Sequence, residues 1–514
     1  MSTSKTQRSA TKARPEPKPA AESLARFSIN YAREFVETVV FVFVLVSLLR
    51  MFGCEAFVIP TGSMATTLMG AHKSATCPEC GYVSEINASD EVENGVHVYE
   101  GYCQNCQRKL DVAKTRPSGG DRVLVSKFLY EGFGEPQRWD VVVFKCPDTL
   151  KTQINFIKRL IGRPGDTVGI RNGDIFIRRG NAQADSPSSP TIARKPPQVM
   201  LAVRRLVHDA DLQARDLRAA GFSPRWKPRE ASAWKVSGDG TSFTSEKNEL
   251  AWVGYNPTLR RSFEERWGIE SGPQLVTDFE AYNSGPPSPQ RDLNWVGDLM
   301  LECDVTPANG DGKSMLELRE GGRKYRLILD HGKGTVSLEQ NDVELAKMAW
   351  SLSSSRHRVR FANFDDRLTV WIDEKLVFGD GVEVTALGND EIGPTVNDLE
   401  PAWLGSTASG TTFSGVRLFR DLYYTQTARQ GDAPLRRWTN ITAEELLDQW
   451  RETLSKLPLE EFEVPEDSYF MLGDNSPKSS DSREWTRTHF VPRHLLLGRA
   501  LILYWPVWNW KFVR

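Results

Sequence analysis

An apolar run with a serine just beyond it constrains this chain more than any other feature. From Phe35 to Phe57 the sequence reads FVETVVFVFVLVSLLRMFGCEAF. A membrane-spanning helix needs about 20 largely apolar residues. The run is long enough, and its charges, Glu37 and Arg50, lie near the ends where long side chains reach the interface. A cleaved leader or a buried core helix would also account for apolar residues. Against a leader, the segment before the run is long and no clean A-x-A site follows. The sequence therefore predicts a transmembrane helix over 35–57. Before it, Lys5, Arg8, Lys12, Arg14, Lys18, Arg26 and Arg33 outweigh three acids. That bias predicts a cytoplasmic, polar, disordered tail over 1–34 and a chain exported beyond the span. The stretch Phe57-Val58-Ile59-Pro60-Thr61-Gly62-Ser63-Met64 follows directly. A serine becomes a nucleophile only when a neighbouring group takes its proton.

The 514 residues carry 65 basic and 67 acidic side chains, so no global field favours nucleic acid, and none is expected as a partner. Runs rich in β-branched residues at 122–125, 140–144 and 174–177 read as strands separated by Gly and Pro turns. A Pro/Ser-rich linker follows at 181–198, and a helical pattern over 199–219 carries Leu201, Val203, Leu206, Val207 and Leu212. From 224 to 430, short alternating segments such as 299–305, 325–329 and 367–372, with turns at 309–312 and 379–381, predict an antiparallel sandwich. Its strand pattern and the run Gly415-Val416-Arg417-Leu418-Phe419 resemble a concanavalin/laminin-G-like jelly roll. Thr442 and Glu445 have capping-box spacing, before a helix with Leu446, Leu447, Trp450 and Leu454 on one face. Strands return at 459–472 and 497–504.

Four of the seven cysteines form two CxxC pairs, Cys77/Cys80 and Cys103/Cys106, separated by residues 81–102. Two knuckles present thiolates in pairs, as a tetrahedral zinc ribbon requires. Two disulfides or a redox pair is the competing reading for an exported segment. Zinc is favoured, as a structural ion in an insertion over 74–112, with no cofactor needed for catalysis.

Lys158 lies inside Phe156-Ile157-Lys158-Arg159-Leu160-Ile161. Buried there, it would lose its charge easily and could act as a base. At a strand edge, reaching water, it would be an ordinary lysine. The segment Gly473-Asp474-Asn475-Ser476-Pro477-Lys478-Ser479-Ser480-Asp481-Ser482-Arg483, taken alone, reads as a turn.

Together the anchor, the Ser63 block, Gly120-Asp121-Arg122-Val123-Leu124-Val125-Ser126-Lys127, Ile157-Lys158-Arg159 and Gly473-Asp474-Asn475 with Ser479, Asp481 and Arg483 resemble bacterial signal peptidase I. This is the membrane-anchored Ser/Lys leader peptidase family. The resemblance covers about 35–73, 113–180 and 459–506. It implies a mainly β protein in which a transmembrane helix precedes an antiparallel β catalytic domain (58–73, 113–180 and 431–514). A zinc ribbon (74–112) and, after a linker and helix (181–223), a β-sandwich (224–430) interrupt that domain. It implies Ser63 as nucleophile, Lys158 as general base, Thr61 in the oxyanion hole and Ser479 orienting the lysine. Asp474, Asp481, Arg483 and Arg159 form the supporting frame. The implied partners are signal peptides of exported preproteins, membrane lipid and the secretion translocon, at the inner membrane with the catalytic domain outside the cytoplasm. A glycan or an envelope protein could meet the sandwich. The alternative is a non-catalytic envelope scaffold or carbohydrate-binding protein on a peptidase frame. Thr66, where the family usually has Pro, and Ser476-Pro477-Lys478, where it commonly has Arg-Asp-Asn, depart from the pattern. The aromatic end, Leu501 to Trp510, predicts a last strand and a surface that dips into the bilayer; core packing is the other reading.

Overall fold

The computed structural model describes residues 21–48, 53–130, 134–148, 154–179, 189–257, 260–263, 266–269, 274–283, 294–308, 311–385, 392–427 and 443–514. The chain divides into two units, Met1–Glu55 and Ala56–Arg514.

In the first unit a helix runs over Ala21–Leu48. Phe35, Val36 and the residues from Val39 to Val46 are exposed. The helix starts earlier than the predicted span and stops short of Phe57; Cys54–Val58 is a strand instead. From Phe35 to Leu48 the helix rises only about 21 Å. Extending it backwards brings in Glu34 and Arg33, whose Nε donates to Glu37 at 2.7 Å. Among the described residues no helix is long and apolar enough to cross a membrane. Residues 49–52 lie outside them, as does the tail before Ala21.

The second unit is mainly β. Its first sheet runs in the order Cys54–Val58, Arg122–Ser126, Leu496–Trp505, Val141–Lys145, Asn155–Gly162, Ser468–Leu472, Val491–Pro492, with Lys511–Phe512 pairing Leu496–Trp505. Successive side chains of a strand point to opposite faces. Val141 and Val143 accordingly join one core with Ile59, Met64, Leu68 and Ile157. Val142 and Phe144 join another with Leu160, Tyr469, Met471 and Trp485. A sheet buried on both faces explains why Val141–Phe144 is continuously apolar. A second sheet orders Thr191–Ile192, Asp174–Arg179, Asp166–Arg171 and Glu460–Glu463. Residues 181–188 of the expected linker lie outside the described residues; in its remainder Lys195 Nζ bridges Asp365 (2.6 Å) and Asp421 (2.7 Å).

The sandwich is built from two antiparallel sheets. One orders Trp234–Val236, Phe243–Ser245, Thr412–Arg420, Leu299–Thr306, His357–Ala362, Arg367–Ile372 and Lys375–Leu376. The other orders Trp226–Pro228, Ala251–Tyr255, Ala402–Ser406, Lys313–Glu320, Arg323–Asp330, Thr335–Gln340 and Val343–Ala349. Leu299, Leu301, Leu316, Leu327, Phe361 and Leu418 meet between them. The helical pattern predicted for 199–219 resolves differently. Pro197–Val203 and Arg215–Ala219 are short helices, and Arg205–Asp209 between them is a strand paired with Thr412–Arg420. Pairing to the sandwich outweighs the local spacing of Leu206 and Val207, so the sandwich begins before 224. The later helix, Ala443–Lys456, buries Leu447, Trp450 and Leu454 as expected; Thr442, its proposed cap, is not described.

Leu301 is fully buried in the sandwich core. Leu301→Ala should cost about 2–5 kcal/mol of unfolding free energy, read from denaturant melts of the full chain; a loss below 1 kcal/mol would contradict the packing.

Candidate active site and cysteine cluster

Ser63 sits in a single turn of 3-10 helix, Gly62–Met64, after the first strand, and Lys158 lies on Asn155–Gly162, the fifth strand in sheet order. In a flat sheet four strand spacings would separate these strands by about 19 Å. Ser63 lies beyond its strand, however, and Lys158 Nζ donates to Ser63 Oγ at 2.6 Å. A second bond from Nζ goes to the Ile157 carbonyl at 3.2 Å. Lys158 is 3% exposed, so it does not snorkel from a strand edge. Its face of the sheet is apolar, with Nζ 5.3 Å from the centre of the Phe156 ring. Burial pushes the ammonium pKa down to about 8, against the opposing pull of Asp481 and Asp474. A neutral amine at this distance can accept the hydroxyl proton of Ser63.

The adjacent residue is treated oppositely. Arg159, also buried, forms a bidentate pair with Asp474, Nε to Oδ1 at 2.7 Å and Nη2 to Oδ2 at 2.6 Å. Burial alone would raise the Asp474 pKa, but the Arg159 guanidinium outweighs it and holds the carboxyl below its usual range. Asp481 pairs with Arg483 and accepts the Gly473 N–H at 3.0 Å. Arg483 in turn donates to Ser476 Oγ (2.7 Å) and to the Thr425 carbonyl (2.8 Å). The 473–483 segment is therefore a rigid, ion-paired loop and not a solvated turn.

This loop clamps the turn that carries Ser63. The Asn475 N–H donates to the Ser63 carbonyl (3.0 Å) and Asn475 Nδ2 to the Gly62 carbonyl (2.8 Å). A side chain at Gly473 would collide with Ser479 Oγ and the Ser63 carbonyl, so only glycine lets the two segments approach. Thr61 is exposed and its side chain makes no capping bond, which leaves the hydroxyl available beside Ser63. Ser479 is buried behind Gly473, but its hydroxyl has no hydrogen-bond partner among the described residues. The orienting bond to Lys158 implied by the resemblance is not formed here; Nζ is held by Ser63 and Ile157 instead.

Four contributors were not anticipated. Asn475 stands inside the Gly-Asp-Asn motif, where its neighbours drew the attention. Arg205 donates to the Ala65 and Asp474 carbonyls at 2.9 and 3.0 Å. Asn283 exchanges amide bonds with Asn475 at 2.7 and 2.9 Å. The Tyr282 ring fills the space over Gly62, where a larger side chain would clash. The last three come from the insertion, whose local sequence carries no sign of this use.

The cysteine segment forms two hairpins, His72–Thr76 with Val83–Asn87 and Glu100–Tyr102 with Lys109–Asp111. Each knuckle turns alike: the Gly81 N–H donates to the Cys77 carbonyl and the Gln107 N–H to the Cys103 carbonyl, at 2.9 and 2.8 Å. The four sulfurs converge within 4.8 Å, with Cys77–Cys106 at 3.6 Å and Cys80–Cys103 at 3.5 Å. Thiolates held about 2.3 Å from one tetrahedral ion stand about 3.8 Å apart, so the donor set fits zinc. All four are free thiols, at separations far beyond the ~2.05 Å of a disulfide. A bound ion would brace the hairpins and take no part in proton transfer. A second group, Asp174, Asp298 and Asp365, lies within 4.8 Å, with Asp365 already paired to Lys195.

At the carboxyl end, Leu503 and Val513 are buried, whereas Trp505, Val507, Trp508, Trp510 and Phe512 are exposed, Trp508 by 85%. Core packing does not account for those five.

Asp474→Ala should strand the buried Arg159 charge and cost about 3–5 kcal/mol. Thermal or denaturant unfolding checks this; an unchanged midpoint would contradict the pair's structural role.

Comparison with known proteins follows this frame. The family model described as signal peptidase, peptidase S26, matches residues 103–213 and 423–505, on both sides of the sandwich. Lys158 and the 473–483 loop fall inside the matched segments and Ser63 precedes them. A probable signal peptidase I-2 of Synechocystis sp. is 54% identical over 44 residues, 9% of this chain and 19% of that protein. Signal peptidase I of Pseudomonas aeruginosa is 45% identical over 60 residues, 10% and 20%. That of Leptolyngbya laminosa is 39% identical over 75 residues, 14% and 36%. The matches thus span between about a fifth and about a third of those relatives' lengths. Among solved structures, a carbohydrate-binding module, CBM66, from Bacillus subtilis aligns with 38% of this chain and 94% of its own, at 12% identity and a TM-score of 0.24. Sheep galectin-11 aligns with 26% and 98%, at 10% identity and a TM-score of 0.19. Through the matched segments that flank the insertion, the chain is similar to the signal peptidases of family S26.

Proposed function

We propose that this protein is a membrane-bound serine endopeptidase that cleaves signal peptides from exported preproteins. One observation carries the mechanism: the Lys158 amine, buried and with its pKa brought to about 8, lies 2.6 Å from Ser63 Oγ. Neutral Nζ takes the Ser63 proton as Oγ attacks the scissile carbonyl. In this reading the Ser63 N–H and the Thr61 hydroxyl receive the developing oxyanion, where one such donor is typically worth about 3 kcal/mol. As the C–N bond breaks, protonated Lys158 gives its proton to the departing amine. It then takes one from the water that attacks the acyl ester, and returns it to Oγ. No histidine and no metal enters these steps.

The preprotein substrate class, with small residues at the −1 and −3 positions, follows from the family resemblance. An extended peptide would add to the sheet beside Cys54–Val58, which stands at one end of the strand order. Two features favour a bilayer setting: the exposed apolar residues from Phe35 to Val46, and the exposed Trp505, Trp508 and Trp510. Inner-membrane anchoring with the amino terminus cytoplasmic is part of this reading, and the translocon is its natural neighbour.

Ser63→Ala and Lys158→Met should each abolish cleavage of a model preprotein in detergent; full activity in either would sink the mechanism. In the wild type kcat/KM should climb as pH rises through about 8, when Nζ loses its proton. The lysine pKa is lower in the folded chain than its ordinary 10.5, so the folded state binds fewer protons between the two values. Stability should therefore increase with pH from about 8 towards 10.5 on this group's account, and Lys158→Met should remove that increment. Urea melts at pH 7 and 10 measure it.

A further inference from the structure

The knuckle Cys103-Gln104-Asn105-Cys106 does more than close a metal site. The two residues between its cysteines are buried, at 9% and 1% exposure, and both reach into the sandwich insertion. Gln104 Oε1 accepts the Ala281 N–H at 2.8 Å, and its Nε2 donates to the Leu206 carbonyl at 2.7 Å. Asn105 Oδ1 accepts the Asp209 N–H at 2.8 Å, and its Nδ2 donates to the Leu212 carbonyl at 2.7 Å. The knuckle thereby seats two stretches of the insertion, 206–212 and 279–281.

Those stretches run directly into groups that touch the nucleophile turn. Arg205 precedes Leu206 and holds the Ala65 and Asp474 carbonyls. Tyr282 and Asn283 follow Ala281; one packs over Gly62 and the other pairs with Asn475. Asn475 then binds the Gly62 and Ser63 carbonyls. A second route leaves the same hairpins: the Ala71 N–H and Ser89 Oγ both donate to the Pro60 carbonyl, at 3.1 and 3.3 Å. The turn bearing Ser63 is fixed on several sides by parts that the cysteine segment orders.

We propose that the four-cysteine site is a positioning device for the nucleophile. A divalent ion held by Cys77, Cys80, Cys103 and Cys106 sets the knuckle, and Gln104 and Asn283 carry its geometry to the Ser63 turn. Gln104 and Asn283 are positioning residues, since neither touches Ser63 or Lys158. The proposal deepens the peptidase reading and rests on it for its kinetic arm only.

The test uses the full chain in detergent. Metal is stripped with a chelator under reducing conditions and replaced by Co2+, whose tetrathiolate complex has its own visible spectrum. Amide hydrogen exchange is followed at 61–65 and 473–475, and kcat and KM are measured on a preprotein. Stripping should speed exchange at 61–65 and lower kcat about tenfold with KM little changed, and Zn2+ should restore both. Gln104→Ala and Asn283→Ala should also speed exchange there while keeping the Co2+ spectrum, which separates lost positioning from lost metal. Stripped protein with unaltered exchange at 61–65, or both variants with wild-type exchange, overturns the proposal. If the wild type cleaves no preprotein, the peptidase reading fails, and the exchange result still decides the positioning claim.

Discussion

Two cations side by side on one strand set the terms for this site. Arg159 and Lys158 are both withdrawn from water, yet only Arg159 has a carboxylate against it. Period-2 alternation sends them to opposite faces of the sheet. One face supplies the Asp474 fork; the other supplies Phe156, Leu160 and a hydroxyl. Burying a charge is costly unless it is paired. Arg159 meets that cost with Asp474 and so locks the 473–475 loop to the strand. Lys158 has no such partner, and its ammonium is the form that burial disfavours. One strand thus yields an ion-paired anchor and a buried amine of lowered pKa from two residues that look alike in composition.

The loop that Asp474 anchors explains much of what surrounds it. Its Gly473 admits the Ser63 carbonyl, its Asn475 fastens the turn, and its continuation through Asp481 and Arg483 stiffens the return path. The large insertion lies between Asp174–Arg179 and Ala443–Lys456 in the chain and yet contributes to the same contacts through Arg205, Tyr282 and Asn283. The sandwich is therefore joined to the site through side chains as well as through its connections.

Much of the frame around Ser63 was legible in the sequence through the ordered set of motifs that resembles signal peptidase I. Taken alone, a lysine in an apolar strand and a run of Asp, Arg and Ser each had an ordinary reading. The paired CxxC knuckles were legible from their spacing, and the sandwich from its short alternating strands. The failures were of two kinds. Residues 205–209 looked helical because Leu206 and Val207 continue the local spacing, but the distant strand Thr412–Arg420 claims them. Asn283 and Arg205 are ordinary polar residues whose task exists only once distant segments meet. Ser479 shows a third limit: a motif places a hydroxyl nearby without stating which hydrogen bond it makes.

Ser63 is made well before most of the groups that hold its turn, such as Arg205, Asn283 and Asn475. Met64 and Asp474, in contact in the folded protein, are 410 residues apart in sequence. Closing so long a loop is slow, because the entropy of closure comes before any reward from the contact. A nascent chain carries the Ser63 turn for some 410 residues before the loop that shapes it is made. Order of synthesis thus acts as a delay: the Ser63 turn is fastened only after the 473–483 loop has been made.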